Sequence, residues 1–507
     1  MAPNNLRELL EARAAAAPDK VFILSESDGR ALTYQGFDRL VDLTARMLAS
    51  RGVGKGDVVS LLMPNSIEYV VAYFACFKLG AIAGPVNSLL KPEEITYVVG
   101  DSEARAIMYG SQFEPAVRRV RGKIGSLKTA FKFDAAGRKN FPGHAGPLPE
   151  ADLGREDEAI IIYTSGTTGK PKGCLLTHAN LIANARQISE WLGFTGEDRL
   201  LSVMPLFHMN AVSVTTMSAL YAGGSTVVSP RFSASRFWQI VSDYGVTSFG
   251  SVATMLSMLL KTYPEGVPEG LDTSRLRFAM CGSAPVPAEV LRRFEETFKC
   301  LVVEGYGLSE STCRSTFNPP DERRRPGSCG LPIGNEMKVF DDDDRELPDG
   351  EPGEIVLRGE NVFKGYFRNE EATRRAFRSG WFHTGDVGYR DRDGFFYIID
   401  RKSDMIIRGG ENIYPREIDE LLYKHPAVAE AATFGFPDEL YGEDVAACVV
   451  LKDGREATAE EIAAYCREHL ADYKCPKVVR VVASLPKGPT GKVLKRELAR
   501  EFKSISQ

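Results

Sequence analysis

Along residues 58–305, short apolar runs alternate with stretches whose apolar positions fall three and four apart. Val58-Val59-Ser60-Leu61-Leu62 and Ile160-Ile161-Ile162 read as buried strands and residues 68–79 as a helix. That is the cadence of a parallel sheet covered by crossover helices. Residues 133–153 are rich in Gly, Pro and charge without periodicity, which predicts a link between two subdomains. A second α/β stretch begins at Ile160, where Leu181, Ala185, Ile188 and Leu192 share one helical face and strands at 200–204 and 226–229 follow. From Gly330 the pattern changes to short β segments, 337–340, 354–357 and 395–399, broken by Gly, Pro and Asp turns. After Arg401 it changes again. A helix starts at Pro415, strands lie at 429–434 and 445–451, and the capping box Thr458-Ala459-Glu460-Glu461 opens another helix. The expected fold is α/β, with two α/β subdomains and a small β region over 1–402 and a separate α+β domain over 403–507. No fixed-period repeat or low-complexity tract interrupts it.

At 507 residues and 43% apolar, the chain is too long for one core. Its net charge of −5, from 63 basic and 68 acidic residues, gives no expectation of a nucleic-acid or anionic-membrane surface. Nine cysteines without a C-x-x-C pair or metal-type spacing argue against disulfides and zinc and for a reducing compartment. The polar N-terminus is not signal-like, no run reaches the ~18 apolar residues of a membrane span, and Ser504-Ile505-Ser506-Gln507 is no peroxisomal address. A cytoplasmic protein is expected.

The chemistry begins after the isoleucine triplet. Tyr163-Thr164-Ser165-Gly166-Thr167-Thr168-Gly169-Lys170-Pro171-Lys172-Gly173 holds four aliphatic hydroxyls, three glycines and two lysines in eleven positions. Such a loop can wrap a polyphosphate with hydroxyls, bare N–H groups and positive charge. It is not a Walker loop, because Pro171 stands where the second glycine would be.

This run resembles the phosphate-loop signature of the adenylate-forming superfamily: acyl-CoA synthetases, peptide-synthetase adenylation domains and beetle luciferases. Further blocks follow in that family's order: Pro205-Leu206-Phe207-His208, Cys281-Gly282-Ser283-Ala284-Pro285, Tyr306-Gly307-Leu308-Ser309-Glu310, Trp381-Phe382-His383-Thr384-Gly385-Asp386, residues 400–410, and Pro489-Thr490-Gly491-Lys492. The resemblance implies a large N-terminal domain with a small distorted β-barrel, and a small mobile C-terminal lid. It also implies ATP, magnesium and coenzyme A as ligands, and a carboxylic acid activated as its adenylate and passed to a thiol.

Carried over residue by residue, the resemblance makes Thr164, Ser165, Gly166, Thr167, Thr168, Gly169 and Lys172 the phosphate cradle and Glu310 the magnesium ligand. Tyr306 and Gly307 would flank adenine, with Gly282, Ser283 and Ala284 along its edge, and Ser309 keeps the hydroxyl of the family's usual threonine. Asp386 would bind the ribose hydroxyls, with Arg401 as a second ribose or phosphate contact. Lys492 would serve adenylation, and Gly409 and Gly410 would line the pantetheine tunnel in a second pose of the small domain. Ser403 stands at the hinge, where the family usually has Asp or Lys.

His208 resembles the carboxylate-side gate of acyl and aryl ligases, and the absence of Asp there disfavours an α-amino acid. The expected acyl pocket draws on 209–214, 249–254, 281–284 and 313–315, suiting a mainly apolar acid with some polar functionality. The texture is nearest to bacterial carnitine/crotonobetaine, medium-chain and aryl ligases. No carrier domain follows, which favours soluble coenzyme A. A carrier-loading adenylating enzyme, an enzyme of one half-reaction and a nucleotide-binding sensor are the alternatives, and homodimerisation is left open.

Overall fold

The computed structural model describes residues 3–133, 146–164, 170–282, 287–488 and 493–505, the side chains of 503–505 excepted. Two seven-stranded sheets dominate the N-terminal part. In the first, Ile82–Pro85, Val58–Leu62, Ala106–Gly110 and Thr129–Phe133 run parallel. Glu158–Thr164 joins them at Ala83↔Ile160, and Lys172–Thr177 returns antiparallel to it. In the second, Leu301–Glu304, Phe278–Cys281, Ser248–Ser251, Arg199–Ser202, Ser225–Val228 and Val21–Ser25 are parallel neighbours in that order, with Ala31–Thr33 antiparallel at the edge.

The strand at Ile160 therefore completes the first sheet rather than opening the second, and the first strand of the chain serves the second sheet. Periodicity identifies a strand but carries no information about its partners. The period of two in the pleat explains the isoleucine triplet: Ile160 and Ile162 enter the main core between the sheets, while Ile161 enters the core on the opposite face.

The helix Ile67–Leu79 is buried at all thirteen residues. It is apolar nearly all round, as a helix between layers must be. It still carries two charges: Glu68 pairs with Arg30 at 2.7 Å, and Lys78 meets Asp42 at 2.5 Å, Asp38 at 2.6 Å and Glu11 at 3.4 Å. Lys78→Met is expected to lower stability by about 3 kcal/mol, because Asp38 and Asp42 would then face each other without their cation. An unchanged denaturant midpoint would contradict this.

Beyond the sheets, Glu336–Phe340, Gly353–Arg358, Trp381–Arg390, Phe377–Arg378 and Phe396–Arg401 form a five-stranded antiparallel sheet. The last part has its own five-stranded sheet with a core on each face. Val445, Ala447 and Val449 point into one, and Ala446 and Cys448 into the other. These cores are separate from the main one, as an independent α+β domain requires. It touches the larger part where the Arg416 N–H donates to Asp400 Oδ2 at 3.0 Å and the Arg416 guanidinium donates to the Ile398 carbonyl. Among the described residues no helix is long and apolar enough to cross a membrane.

Candidate active site

Thr164 is the last residue of its strand and stands opposite Lys172, so the two ends of the hydroxyl- and glycine-bearing run are paired in an antiparallel ladder. Ser165, Gly166, Thr167, Thr168 and Gly169 lie outside the described residues. Thr164 Oγ1 donates to Glu310 Oε1 at 3.5 Å, and the Tyr366 hydroxyl donates to the same oxygen at 3.0 Å. Lys172 Nζ lies 5.2 Å from the centre of the Tyr366 ring. The backbone of Glu310 is held in a short 3₁₀ turn, Ser309–Ser311, where its carbonyl accepts the Phe363 N–H at 2.7 Å. Burial pushes the Glu310 carboxyl above its ordinary value, against the Tyr366 hydrogen bond and the charge of Arg401. A carboxylate held partly desolvated in this way is improved by an added cation.

The second half of the site is built by strand register. Asp386 and Arg401 are direct partners in adjacent antiparallel strands, which brings Arg401 Nε to 2.9 Å from Asp386 Oδ1. The Tyr306 hydroxyl donates to Asp386 Oδ2 at 2.6 Å. Asp386 is 3% exposed, and its charge holds the Arg401 guanidinium above its ordinary value. Tyr306 follows the strand Leu301–Glu304, so it sits outside the carboxyl end of a parallel sheet, where open α/β folds place ligands. A Cβ on Gly307 would fall 2.0 Å from the Cys313 carbonyl oxygen, so only glycine fits that turn. A cavity of about 460 Å³ beside Trp191 and Phe395 contains none of these residues.

Residues 10–367 match the family described as AMP-binding enzyme, and residues 417–492 match its C-terminal domain. The chain belongs to the AMP-binding enzymes. This AMP-binding enzyme is 39% identical to a sulfoacetate–CoA ligase of Cupriavidus necator over 98% of its length and 97% of that protein's. It is 35% identical to the long-chain-fatty-acid–CoA ligase FadD13 of Mycobacterium tuberculosis, over 98% of each. Its fold matches ATP-bound MatB from Rhodopseudomonas palustris with a TM-score of 0.93 and 31% identity over the whole of both chains. The expected membership of the adenylate-forming superfamily and the expected α/β fold with a smaller α+β domain are both borne out.

His208 of the AMP-binding enzyme, expected on the acyl side, is half-buried and its Nδ1 accepts the Asn210 N–H at 3.2 Å. The ring hydrogen is therefore on Nε2. Burial and the nearby Arg314 charge lower its pKa to about 4, so it is a neutral hydrogen-bond donor at pH 7. Of the segment 209–214, expected as pocket lining, residues 210–214 lie in a buried π-helix, Asn210–Met217.

Two residues of consequence escaped sequence reasoning. Tyr366 carried no motif signal of its own. Arg314 fell within the expected pocket segment but was not singled out. It is 1% exposed, and among the described residues no carboxylate pairs with it and its Nε and Nη2 have no hydrogen-bond partner. The Phe317 ring 5.3 Å from its guanidinium offers ~1–2 kcal/mol, short of the several kcal/mol that burying an unpaired cation costs.

Gly409 and Gly410, at φ +59 and +94, form the two-residue turn between Arg408 and Glu411, and that hairpin geometry demands positive φ at both. They sit beside Tyr441, whose carbonyl accepts the Gly409 N–H at 2.9 Å. Ser403 Oγ donates to Asp404 at 3.1 Å. Ser283, Ala284 and Lys492 lie outside the described residues.

Proposed function

We propose that the protein is an ATP-dependent acid:coenzyme A ligase. One observation carries the reading: Thr164, Lys172, Tyr366 and Glu310 converge on one side, Tyr306, Asp386 and Arg401 on the other, and the charges of Arg401 and Asp386 are felt at Glu310. We read these as the phosphate side and the ribose side of one nucleotide site.

In the proposed reaction a carboxylate oxygen attacks the α-phosphorus of ATP, the bond to the bridging β-oxygen breaks and pyrophosphate leaves. The thiol of coenzyme A then attacks the acyl carbon and AMP departs. Both steps depend on positioning and charge neutralisation. In this reading Lys172 and the hydroxyls of Thr164, Ser165, Thr167 and Thr168, with the backbone of Gly166 and Gly169, hold the β- and γ-phosphates. Asp386 accepts from the ribose hydroxyls once Tyr306 yields it. Tyr306, Gly307 and Gly282 to Ala284 border adenine, and Ser309 lies next to the α-phosphate. Neutral His208 donates to the substrate carboxylate.

Among the described residues no group of three His, Cys, Asp or Glu could cage a metal. Glu310 suits magnesium, which takes one or two carboxylates and completes its shell with phosphate oxygens and water. When bound, the ion would neutralise phosphate charge during adenylation.

We place the boundary between the two parts at 402/403 and read Ser403 as the hinge, about which the small domain presents Lys492 for adenylation and Gly409 and Gly410 for thiol transfer. Of the nearby lysines, Lys487 is paired with Glu430 and Lys495 with Asp419, at 2.7 and 2.8 Å, which supports Lys492 as the adenylation lysine.

The relatives act on acids as different as sulfoacetate and long-chain fatty acids, so kinship leaves the acid open. With ATP, magnesium and coenzyme A, a panel of carboxylic acids should give AMP and thioester in equal amounts for at least one member. ADP as product, or AMP without thioester, would overturn the reading.

A further inference from the structure

Arg314 is fixed in place by its backbone. Its carbonyl accepts from Asn184 Nδ2 at 2.7 Å and Asn361 Nδ2 at 3.2 Å, and its N–H donates to Asn184 Oδ1 at 3.3 Å. The same Asn184 oxygen accepts from Ser213 in the π-helix, so the residue is tied to the acyl side of the site. Between Glu310 and Arg314 the chain turns at Thr312, buried at φ +67, a strained value for a β-branched residue. That turn separates a carboxylate on the phosphate side from a guanidinium on the acyl side.

The side chain lies over Gly282, where a Cβ would come within 2.7 Å of Nη2. Gly282 follows the strand Phe278–Cys281. The neighbouring strand Ser248–Ser251 carries Gly250, over which Asn210 Oδ1 lies in the same way, at 2.8 Å from a Cβ placed there. Asn210 is 1% exposed, and among the described residues both polar atoms of its amide also lack partners. Among the described residues, an unpaired guanidinium and an unpaired amide thus lie over adjacent strands of one sheet, Gly282 standing two residues beyond Met280, the register partner of Gly250. His208, whose ring accepts from the Asn210 N–H, lies within reach of the Arg314 charge.

We propose that Arg314 determines specificity in the acyl pocket, and that the acid is a short one carrying a second anionic group, carboxylate or sulfonate, which pairs with the Arg314 guanidinium while the first carboxylate reacts beside His208. An arginine cannot shed its proton to escape burial, and its planar fork matches a carboxylate or sulfonate through two N–H donors. His208 is linked to Asn210, and Asn210 and Arg314 lie over adjacent strands of one sheet, so a short acid suits the pair. This expectation replaces that of a mainly apolar acid, and it rests on the ligase reading above.

The test compares malonate, succinate and sulfoacetate with propionate and butyrate, in the full-length wild type and in Arg314→Met and Arg314→Lys. Wild type should favour the doubly anionic acids in kcat/KM by ~10²-fold or more, Arg314→Met should abolish or reverse that preference, and Arg314→Lys should keep part of it. ATP-induced thermal stabilisation should be equal in all three proteins, which reports an intact fold and nucleotide site. A wild-type preference for propionate or butyrate would overturn the proposal. So would an equal loss for both classes in Arg314→Met, since Arg314 would then hold the reacting carboxylate. If the variants fail to fold, the wild-type comparison decides alone. If no acid yields AMP, stabilisation of the wild type by malonate, succinate or sulfoacetate but not by propionate would uphold the anion site while the ligase reading fails, and no stabilisation would sink both.

Discussion

Replacing Lys492 by alanine is expected to slow adenylation by at least ~10²-fold while largely sparing transfer of the acyl group from supplied acyl-adenylate to coenzyme A. Negative charge gathers on the carboxylate and α-phosphate oxygens as they approach, and a flexible ammonium can follow it. In the proposed two-pose cycle the half-reactions use different faces of the small domain, so Lys492 serves only the first. Lys487 and Lys495 are held by Glu430 and Asp419 and are poorly placed to substitute. Single-turnover measurements of each half-reaction check this, and equal damage to both would refute the two-pose assignment.

The second large effect is expected at Asp386. Asp386→Ala should raise the KM for ATP by ~10²-fold, because each charge-assisted hydrogen bond to a ribose hydroxyl contributes about 1.5–3 kcal/mol, and part of that is offset by freeing Tyr306 and Arg401. The more telling comparison uses 2′,3′-dideoxy-ATP. Wild type should bind it about as poorly as the variant binds ATP, and the variant should barely distinguish the two nucleotides. A variant that still prefers ATP over the dideoxy form by the wild-type margin would place the ribose elsewhere.

How far the sequence reaches is clearest at particular residues. The isoleucine triplet announced a buried strand, and its alternation into two cores is what a period of two requires. The same triplet could not say that its sheet was the first, because pairing with Ala83 is a long-range choice that local pattern does not encode. Asp386 and Arg401 were each legible from motifs, but their ion pair comes from the register of two strands. Gly409 and Gly410 stood out as a motif, and the hairpin gives both a backbone reason to be glycine, independent of any cofactor. Arg314 was the blind spot. In sequence it is one of 63 basic residues, and only its burial without a partner marks it as unusual.

Everything in the proposed chemistry depends on where the nucleotide sits. A crystal structure with a non-hydrolysable ATP analogue and magnesium tests that directly. The β- and γ-phosphates should lie between Thr164 and Lys172 with the metal on Glu310, and the ribose hydroxyls should lie on Asp386. Nucleotide bound in any other cavity, with Glu310 and Asp386 untouched, would contradict the account.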